Sequence, residues 1–261
     1  MKANKIIAVI TARTNSTRLP GKVIKPLAGV PMLQRIVERI NPSRSVSEIV
    51  LATTINPVDD ELISLAHKLN IGFFRGSEED VLGRIVGTVN EFKPDTIVCL
   101  TGDNPLIDPK LIDDMIHFYN DHNYDYISST HMHHSNLWQA ERTFPVGISV
   151  QIIKAEVIRE VEKEVTDMAI RAHATLGVYN RKDDRYNLGA FQAEGAYNKW
   201  RHPELRLTVD TIEDYDLINH IFQKLFPVNP NFSTLDAIRL VLSDPSLKSI
   251  NAGVKQRIAA Q

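Results

Sequence analysis

Short apolar runs alternate with amphipathic stretches through the first half of this 261-residue chain. The runs are KIIAVITA, SEIVLATT, IGFF, DTIVCLTG and YDYISST. Helical periodicity fills the intervals at Pro31 to Ile40, Asp59 to Leu69, Asp80 to Glu91 and Asp108 to Asp121. The alternation predicts strand–helix–strand crossover units, and therefore an α/β fold with a mixed, mainly parallel sheet flanked by helices.

The second half of the chain is less regular, although we expect it to belong to the same single domain. Strand-like composition is found in VGISVQII, YNLGAFQAE and LRLTVD, and helical periodicity in TIEDYDLINHIFQKLF and STLDAIRLVLS. The stretch HMHHSNLWQAERTFP has no clear period, which predicts a long loop over the sheet. Its histidines, His131, His133 and His134, lack the cysteine partners and spacing of a metal site, so a polar loop is favoured.

Composition excludes several classes of protein. The formal net charge is -2 and 24% of the residues are charged, so the chain lacks the basic field of a general nucleic-acid binder. Its single cysteine, Cys99, lies in an apolar run and is expected to be a core thiol in a reducing compartment. The N-terminal apolar run is too short for a membrane span and lacks a signal-peptide cleavage site. These features predict a cytoplasmic protein.

The loop TARTNSTRLPGK, directly after the first strand, carries the strongest functional signal. Arg13, Arg18 and Lys22 supply three cations, and Ser16 and Thr17 add hydroxyl groups. Such a set suits a polyanion such as a triphosphate, which arginine can bind in a bidentate way. The loop lacks the leading glycine of a Walker A motif. The alternative is a solvated basic loop with surface ion pairs.

Two aspartates follow predicted strands at the edge where ligands of parallel sheets collect. Asp103 follows the most apolar run, and Asp210 closes LRLTVD before the helix that starts at Thr211. Two carboxylates beside a polyanion are costly unless a cation joins them, and Mg²⁺ held by carboxylates and substrate phosphates is the usual solution. Taken singly, Asp210 could instead be the N-cap of the following helix.

Five stretches resemble the cytidylyltransferase family, which includes spore-coat polysaccharide proteins and, more distantly, synthetases of CMP-linked sugar acids such as the CMP-KDO synthetase. The stretches are ITARTNSTRLPGKVIKPLAGVPML, LATTINPVDDEL, FFRGSEEDVLGR, LTGDNPLIDP and LRLTVDTIEDYDLI. They occur in the family's order between Lys5 and Leu225. The resemblance implies a nucleotide-diphospho-sugar transferase (GT-A-like) fold, CTP as donor and Mg²⁺ as cofactor. It also divides the domain into a nucleotide-binding half at 1–129, an acceptor half at 130–230 and a C-terminal helical tail at 231–261.

The resemblance further implies a role for each matching residue. The residues implied to bind the triphosphate are Arg13, Ser16, Arg18 and Lys22, and those implied to bind magnesium are Asp103 and Asp210. The residues implied to bind the nucleoside are Ser77, Asp80 and Arg84. The residues implied to bind the acceptor are Ser149, Gln151, Arg171 and His173. The implied catalytic set is Arg13, Lys22, Asp103 and Asp210. For Arg84 the alternative is a plain (i, i+4) salt bridge with Asp80.

The acceptor half departs from the family pattern at three positions. Ser149 and Gln151 stand where Asp and Glu are usual, and Ala172 stands where the motif R-E-H-V-T has its acid. The exchange removes up to three negative charges from the side of the expected acceptor pocket, which reduces the electrostatic repulsion of anions. It therefore predicts an anionic acceptor, a sugar acid or phosphorylated small molecule destined for a cell-surface polymer. The competing interpretation is that the exchange selects a different neutral compound.

Nucleotidyl transfer is the function that these features favour: an acceptor oxygen attacks the α-phosphorus of CTP and pyrophosphate departs. The expected partners are CTP and a small acceptor, with neither nucleic acid nor membrane insertion, and a homodimer is the expected oligomer. A glycosyltransferase that consumes a sugar nucleotide could share the fold, but the chain lacks a D-x-D triplet after a central strand. A non-catalytic nucleotide-binding homologue is the third alternative.

Overall fold

The computed structural model describes residues 4–130, 132–134, 137–139, 142–181 and 183–256, with the backbone alone at 132–134 and 137–139. Its strands are β1 (Ile6–Thr11), β2 (Pro26–Leu27), β3 (Val30–Pro31), β4 (Glu48–Thr54), β5 (Gly72–Gly76), β6 (Thr96–Thr101), β7 (Tyr126–Ser128), β8 (Met132–His134), β9 (Leu137–Gln139), β10 (Gln151–Lys154) and β11 (Leu188–Ala190). Its α-helices are α1 (Met32–Ile40), α2 (Asp60–Lys68), α3 (Val81–Phe92), α4 (Pro109–Asp121), α5 (Ala155–Glu164), α6 (Met168–Arg171), α7 (Leu176–Tyr179), α8 (Ile212–Leu225), α9 (Thr234–Ser243) and α10 (Pro245–Ile250). Short 3-10 turns lie at Lys22–Ile24, Pro57–Asp59 and Gly195–Trp200.

A seven-stranded sheet in the order β11-β7-β10-β6-β1-β4-β5 forms the centre of the protein. Strand β10 runs antiparallel to both of its neighbours, and the other pairs in this sheet are parallel. Side chains of β1 alternate between two apolar cores, with Ile6, Ala8 and Ile10 facing one and Ile7 and Val9 the other. Helices α1, α2, α4, α8 and α9 contribute to the first core, and α3 and α5 to the second. The predicted mixed, mainly parallel sheet flanked by helices is confirmed.

The five apolar runs and four helical intervals of the first half form β1, β4 to β7 and α1 to α4, as predicted. Cys99 is buried, and burial raises the pKa of its thiol to about 12, as expected of a core thiol. VGISVQII forms a strand only from Gln151, because Gly147 adopts φ +99° and turns the chain before it. Helix α5 was not predicted from the sequence.

The prediction of a strand in LRLTVD is wrong. The segment makes a single bridge, between Val146 and Arg206. At Val209 the backbone bonds to residues of the candidate site instead of to a strand: its N–H donates to the Asp103 carbonyl at 2.8 Å, and its carbonyl accepts from Lys22 Nζ at 2.8 Å.

The stretch predicted as a long loop contains the hairpin formed by β8 and β9. His131 and the side chains of His133 and His134 lie outside the described residues, so their metal hypothesis stays untested. No helix within the described ranges is long and apolar enough to cross a bilayer.

Candidate active site

The carboxyl ends of β1 and β6 bring the basic loop, residues 12–25, beside Asp103. Gly102 N–H donates to the Thr11 carbonyl at 2.9 Å, which locks the two strand ends together. A Cβ at Gly102 would lie 2.7 Å from the Ala12 Cβ, closer than real Cβ atoms approach, so only glycine permits this contact. The close approach places the Asp103 carboxylate against the loop.

Asp59 fixes the start of the basic loop from the neighbouring strand end. Its carboxylate is buried and accepts from Thr14 N–H at 2.8 Å and Thr14 Oγ1 at 2.6 Å, and also from the Thr54 hydroxyl. Burial raises the pKa of Asp59, but the hydrogen bonds from Thr14 and Thr54 outweigh this and hold the pKa below its usual value. Sequence reasoning missed Asp59, although its position after β4 is one where ligands collect.

Lys22 lies between the two predicted metal ligands. Its Nζ donates to Asp103 Oδ2 at 2.9 Å, to Asp210 Oδ1 at 3.0 Å and to the Val209 carbonyl at 2.8 Å. Burial lowers the pKa of Lys22, whereas the two carboxylates raise it, and the result is a raised pKa. The ammonium has three protons and all three are used, so the structure brings Lys22, Asp103 and Asp210 together as one ionic cluster.

Three cations converge on Asp210. Arg18 lies 3.0 Å from Oδ1, and Arg206 Nη2 donates to Oδ2 at 2.7 Å, in addition to the contact from Lys22. Burial raises the pKa of Asp210, and these three cations more than compensate, which lowers it. The alternative that Asp210 is the N-cap of α8 is wrong, because Thr211 caps that helix.

Asp214 organises the backbone around Asp210. It is fully buried and accepts hydrogen bonds from Arg206 Nε at 2.8 Å, Asp210 N–H at 3.0 Å and Thr211 N–H at 3.2 Å. Asn251, after α10, donates to Asp214 Oδ1 at 2.9 Å and so ties the C-terminal segment to the cluster. The spacing T-x-x-D at Thr211 is a capping-box signal that could have identified Asp214, but nothing local indicates Asn251.

Arg13 lies in a second polar cluster. Its Nη1 donates to Glu78 Oε1 at 3.0 Å, and Glu78 also accepts from Asn15 and Asn56, each at 3.4 Å. Within the described part of the chain, Arg13 makes no ion pair with Asp103 or Asp210. The predicted triphosphate cations are therefore divided, with Arg18 and Lys22 on the carboxylates and Arg13 on Glu78. Ser16 is half-buried in the same loop.

The predicted nucleoside residues follow β5. Ser77 is exposed, and its Oγ accepts from Asp80 N–H at 3.1 Å. Arg84 is buried and donates to the Ser77 carbonyl at 2.8 Å, so its predicted alternative, a salt bridge with Asp80, is not formed. Asp80 instead caps α3 through Gly83 N–H.

Arg171 joins the two predicted halves. Its Nη2 donates to Asp80 Oδ2 at 2.6 Å and to Glu162 Oε1 at 2.8 Å. Its Nη1 donates to the carbonyls of Glu162 at 2.9 Å and Val165 at 2.8 Å. A residue predicted to bind the acceptor is thus bonded to one predicted to bind the nucleoside, and both terminal nitrogens of its guanidinium donate hydrogen bonds within the protein.

The other predicted acceptor residues lie around β10. Gln151 Oε1 accepts from the Thr175 hydroxyl and from Tyr126 OH, the latter at 3.4 Å. The Tyr126 ring stacks on Tyr179 with 5.9 Å between centroids. Ser149 is half-buried and His173 is exposed.

Comparison with known protein families identifies the family to which this chain belongs. The family profile described as Cytidylyltransferase matches residues 7–227, a range that includes the basic loop and both aspartates. The chain belongs to the cytidylyltransferase family. It is therefore an enzyme of the nucleotidyltransferase class, as the sequence resemblance implied.

Relatives of this cytidylyltransferase agree in sequence and in fold. The chain is 35% identical over 251 residues to the spore coat polysaccharide biosynthesis protein SpsF of Bacillus subtilis (strain 168), covering 93% of this chain and 96% of that protein. A cytidylyltransferase structure from Leptospira borgpetersenii superposes with a TM-score of 0.83 at 28% identity, covering 98% of this chain and 99% of that one. CMP:2-keto-3-deoxy-manno-octonic acid synthetase complexed with CTP superposes with a TM-score of 0.63 at 18% identity, covering 85% of this chain and 100% of that one. The nucleotide-diphospho-sugar transferase type of fold is thereby confirmed.

The cytidylyltransferase offers chemically suitable ligands for the divalent cation that its family implies. Asp103 and Asp210 present carboxylate oxygens, the ligands that Mg²⁺ prefers, at one edge of the sheet. Their side chains are 27% and 13% exposed, so the cluster is open to solvent on the Asp103 side. Because Lys22 already bridges the two carboxylates, a divalent ion placed there has to share their oxygens with the ammonium.

Replacing Arg171 tests how much its hydrogen bonds to Asp80 and Glu162 stabilise the protein. Arg171→Ala is expected to lower the free energy of unfolding by about 1–3 kcal/mol, because the carboxylates of Asp80 and Glu162 and two backbone carbonyls each lose one hydrogen-bond donor. The exposed Arg185, which pairs with Glu164 on the surface, provides the control, and Arg185→Ala should change little. Urea titration of both variants measures the difference. Equal stability of the two variants would show that the hydrogen bonds of Arg171 contribute nothing to the free energy of unfolding.

Proposed function

We propose that this cytidylyltransferase transfers CMP from CTP to an anionic sugar acid or phosphorylated small molecule for a cell-surface polysaccharide. An acceptor oxygen attacks the α-phosphorus, the bond between that phosphorus and the oxygen of the β-phosphate breaks, pyrophosphate leaves, and the acceptor proton passes to solvent. The observation that carries the proposal is the cluster of Lys22, Asp103 and Asp210 beside the basic loop. Its contacts of 2.9–3.0 Å bring charges of both signs together, which supports a site for a metal-bound triphosphate.

The basic loop supplies the groups for the triphosphate. Arg18 pairs with Asp210, and an incoming phosphate would compete for that guanidinium with oxygens of higher charge. Arg13 and Ser16 would complete the contacts to the leaving pyrophosphate, and Lys22 would neutralise charge beneath it. Positioning and neutralisation are the main tasks of a protein in phosphoryl chemistry.

Mg²⁺ on Asp103 and Asp210, when bound, would supply a Lewis acid that neutralises phosphate charge. Asp214 and Arg206 orient Asp210 through contacts of 2.7–3.0 Å, so that its Oδ1 faces Lys22 and Arg18. The nucleoside is proposed to lie along Ser77, Asp80 and Arg84.

The acceptor is proposed to lie against Ser149, Gln151 and His173. These residues are neutral or basic, and Gln151 stands beside Thr175 with no carboxylate bonded to either within the described residues. Arg171 would act by holding Asp80 in place, since both of its terminal nitrogens already donate hydrogen bonds within the protein. The polysaccharide role is supported by the name of the Bacillus subtilis relative.

Pyrophosphate release tests the proposal directly. Protein, CTP and Mg²⁺ are mixed with 3-deoxy-manno-octulosonate, other sugar acids and phosphorylated polyols, and the CMP-linked product is identified by mass spectrometry. A glycosyltransferase would instead consume a sugar nucleotide without releasing pyrophosphate, and a non-catalytic homologue would bind CTP without turnover. Either result would refute the proposal.

Arg18→Ala is expected to raise the Kd for CTP about tenfold to a hundredfold, the effect of losing about 1.5–3 kcal/mol of charged hydrogen bonding. Titration calorimetry with CTP and Mg²⁺ measures it. Arg239→Ala removes an arginine whose side chain is 58% exposed and serves as the control, with no change expected. An unchanged Kd in Arg18→Ala would remove Arg18 from the triphosphate site.

A further inference from the structure

Residues 231–256, the described part of the C-terminal tail, lie beyond residues 7–227, the range that matches the cytidylyltransferase profile. Helices α9 and α10 of this tail nevertheless pack into the first core. Their buried side chains there are Ala237, Ile238, Val241 and Leu247. The tail is therefore a fixed part of the domain, and its polar side chains meet defined partners.

The start of α9 is bonded to the loop that runs on from Asp103. Thr234 is fully buried, and its Oγ1 donates to the Leu106 carbonyl at 2.5 Å. Its N–H donates to Asp108 Oδ2 at 3.1 Å. The tail is thus anchored to the segment that carries the first aspartate of the site.

The end of the tail is bonded to the segment that carries the second aspartate. Asn251 follows α10 and is buried. Its Nδ2 donates to Asp214 Oδ1 and to the Arg206 carbonyl, both at 2.9 Å. Carboxylate and carbonyl oxygens only accept, so both hydrogens of the amide are used and the side chain has one orientation.

Asp214 depends on this donor, because a fully buried carboxylate is costly unless hydrogen bonds satisfy its oxygens. Within the described residues, Oδ1 accepts from Arg206 Nε at 2.8 Å and from Asn251. Oδ2 accepts from Asp210 N–H at 3.0 Å and from Arg206 Nη2 at 2.9 Å. Arg206 Nη2 also donates to Asp210 Oδ2 at 2.7 Å. A shift of Asp214 is therefore passed to Asp210 through its backbone and through Arg206.

We propose that Asn251 is a positioning residue of the active site, which holds the Asp210 carboxylate in the orientation that a divalent cation bound with CTP requires. The inference rests on the proposed function, because that cation and the triphosphate belong to the proposed reaction. Asn251 itself would touch neither of them. Replacing a group that holds a metal ligand typically changes metal affinity by about tenfold to a hundredfold. Asn251 acts through Asp214 and Arg206, so the lower end of that range is expected.

The test measures the metal's contribution without turnover. Titration calorimetry gives the Kd for α,β-methylene-CTP, a donor that cannot release pyrophosphate, once with saturating Mg²⁺ and once with EDTA. We call the ratio of the Kd in EDTA to the Kd with Mg²⁺ the magnesium gain. It is measured for the wild type, for Asn251→Ala, which removes both hydrogen bonds, and for Asn251→Asp, which keeps the size of the side chain but places a second carboxylate against Asp214.

Two control variants accompany them. Ser249→Ala lies in the same tail and removes an exposed hydroxyl that donates to the Ser246 carbonyl at 2.7 Å, away from the site. Ile116→Ala, a core substitution in α4, lowers stability without touching the carboxylate cluster. Thermal unfolding of every variant shows which of them fold, and if one Asn251 variant does not fold the other decides.

Asn251→Ala should lower the magnesium gain about tenfold while leaving the Kd in EDTA unchanged, and Asn251→Asp should lower it further, up to about a hundredfold. Both controls should keep the wild-type gain. A merely structural role would instead change the two Kd values together. The inference is overturned if the Asn251 variants keep the wild-type gain, if Ile116→Ala or Ser249→Ala loses as much of it, or if the wild type shows no gain.

Pyrophosphate release with CTP keeps the two failures apart. If the wild type releases pyrophosphate with a sugar acid, and Asn251→Ala needs no more Mg²⁺ for its half-maximal rate, the assignment of Asn251 fails and the proposed function stands. If the wild type turns over no acceptor, the proposed function fails, and the magnesium gain alone decides the role of Asn251.

Discussion

Asp103→Asn and Asp210→Asn are each expected to lower the rate of CMP transfer about a hundredfold to a thousandfold, the usual effect of losing a charge-stabilising group at a reacting phosphate. An amide is a poorer ligand than a carboxylate for a hard divalent cation. For Asp210 the structure adds a second reason, because its neutralisation leaves Lys22, Arg18 and Arg206 facing one another without their shared anion. Pyrophosphate release over a range of Mg²⁺ concentrations measures both effects.

The control for these variants is Asp216→Asn, an exposed acid on the same helix as Asp214, which should keep the wild-type rate. Thermal unfolding of each variant separates lost chemistry from lost folding. The Asp103 side chain is 27% exposed, so Asp103→Asn should stay folded and give the clearer kinetic result. A near-normal rate in Asp210→Asn would remove this residue from the reaction and leave it a structural counter-ion.

Lys22→Ala is expected to lower the free energy of unfolding by about 3–5 kcal/mol, the cost of breaking a buried ion pair from one side. Removing the ammonium leaves Asp103 and Asp210 without the cation between them, and the Val209 carbonyl loses its donor. The same variant should bind CTP more weakly, since the charge beneath the triphosphate is gone. Urea titration gives the stability, and calorimetry gives the Kd for CTP.

Lys25→Ala is the matched control from the same loop. The Lys25 ammonium lies 4.8 Å from the centroid of the Tyr215 ring, a contact worth about 1 kcal/mol or less. If Lys22→Ala and Lys25→Ala lose equal stability, the buried cluster is not what holds the loop. If Lys22→Ala binds CTP normally, Lys22 is structural and the triphosphate is held by the arginines.

The sequence by itself determined the order of elements in the first half and the family of the enzyme. Burial on both faces of a parallel strand requires continuous apolar runs, and those runs are visible without any knowledge of their partners. The positions of Asp103 and Arg18 followed from the same rule, because side chains directly after such strands lie at the ligand-binding edge. The strand prediction for LRLTVD failed because the composition is that of a strand, whereas the backbone at Val209 bonds to Asp103 and Lys22.

Tertiary structure alone decided which charges are partners. Lys22 and Asp210 are 188 residues apart, and Arg171 and Asp80 are 91 apart, so no local period connects them. Apolar periodicity reports whether a residue is buried, a property of its own segment, but an ion pair depends on which distant segment the fold places opposite it. For that reason Arg171, which the family resemblance assigned to the acceptor, is bonded instead to Asp80, a partner that nothing in its own segment indicates.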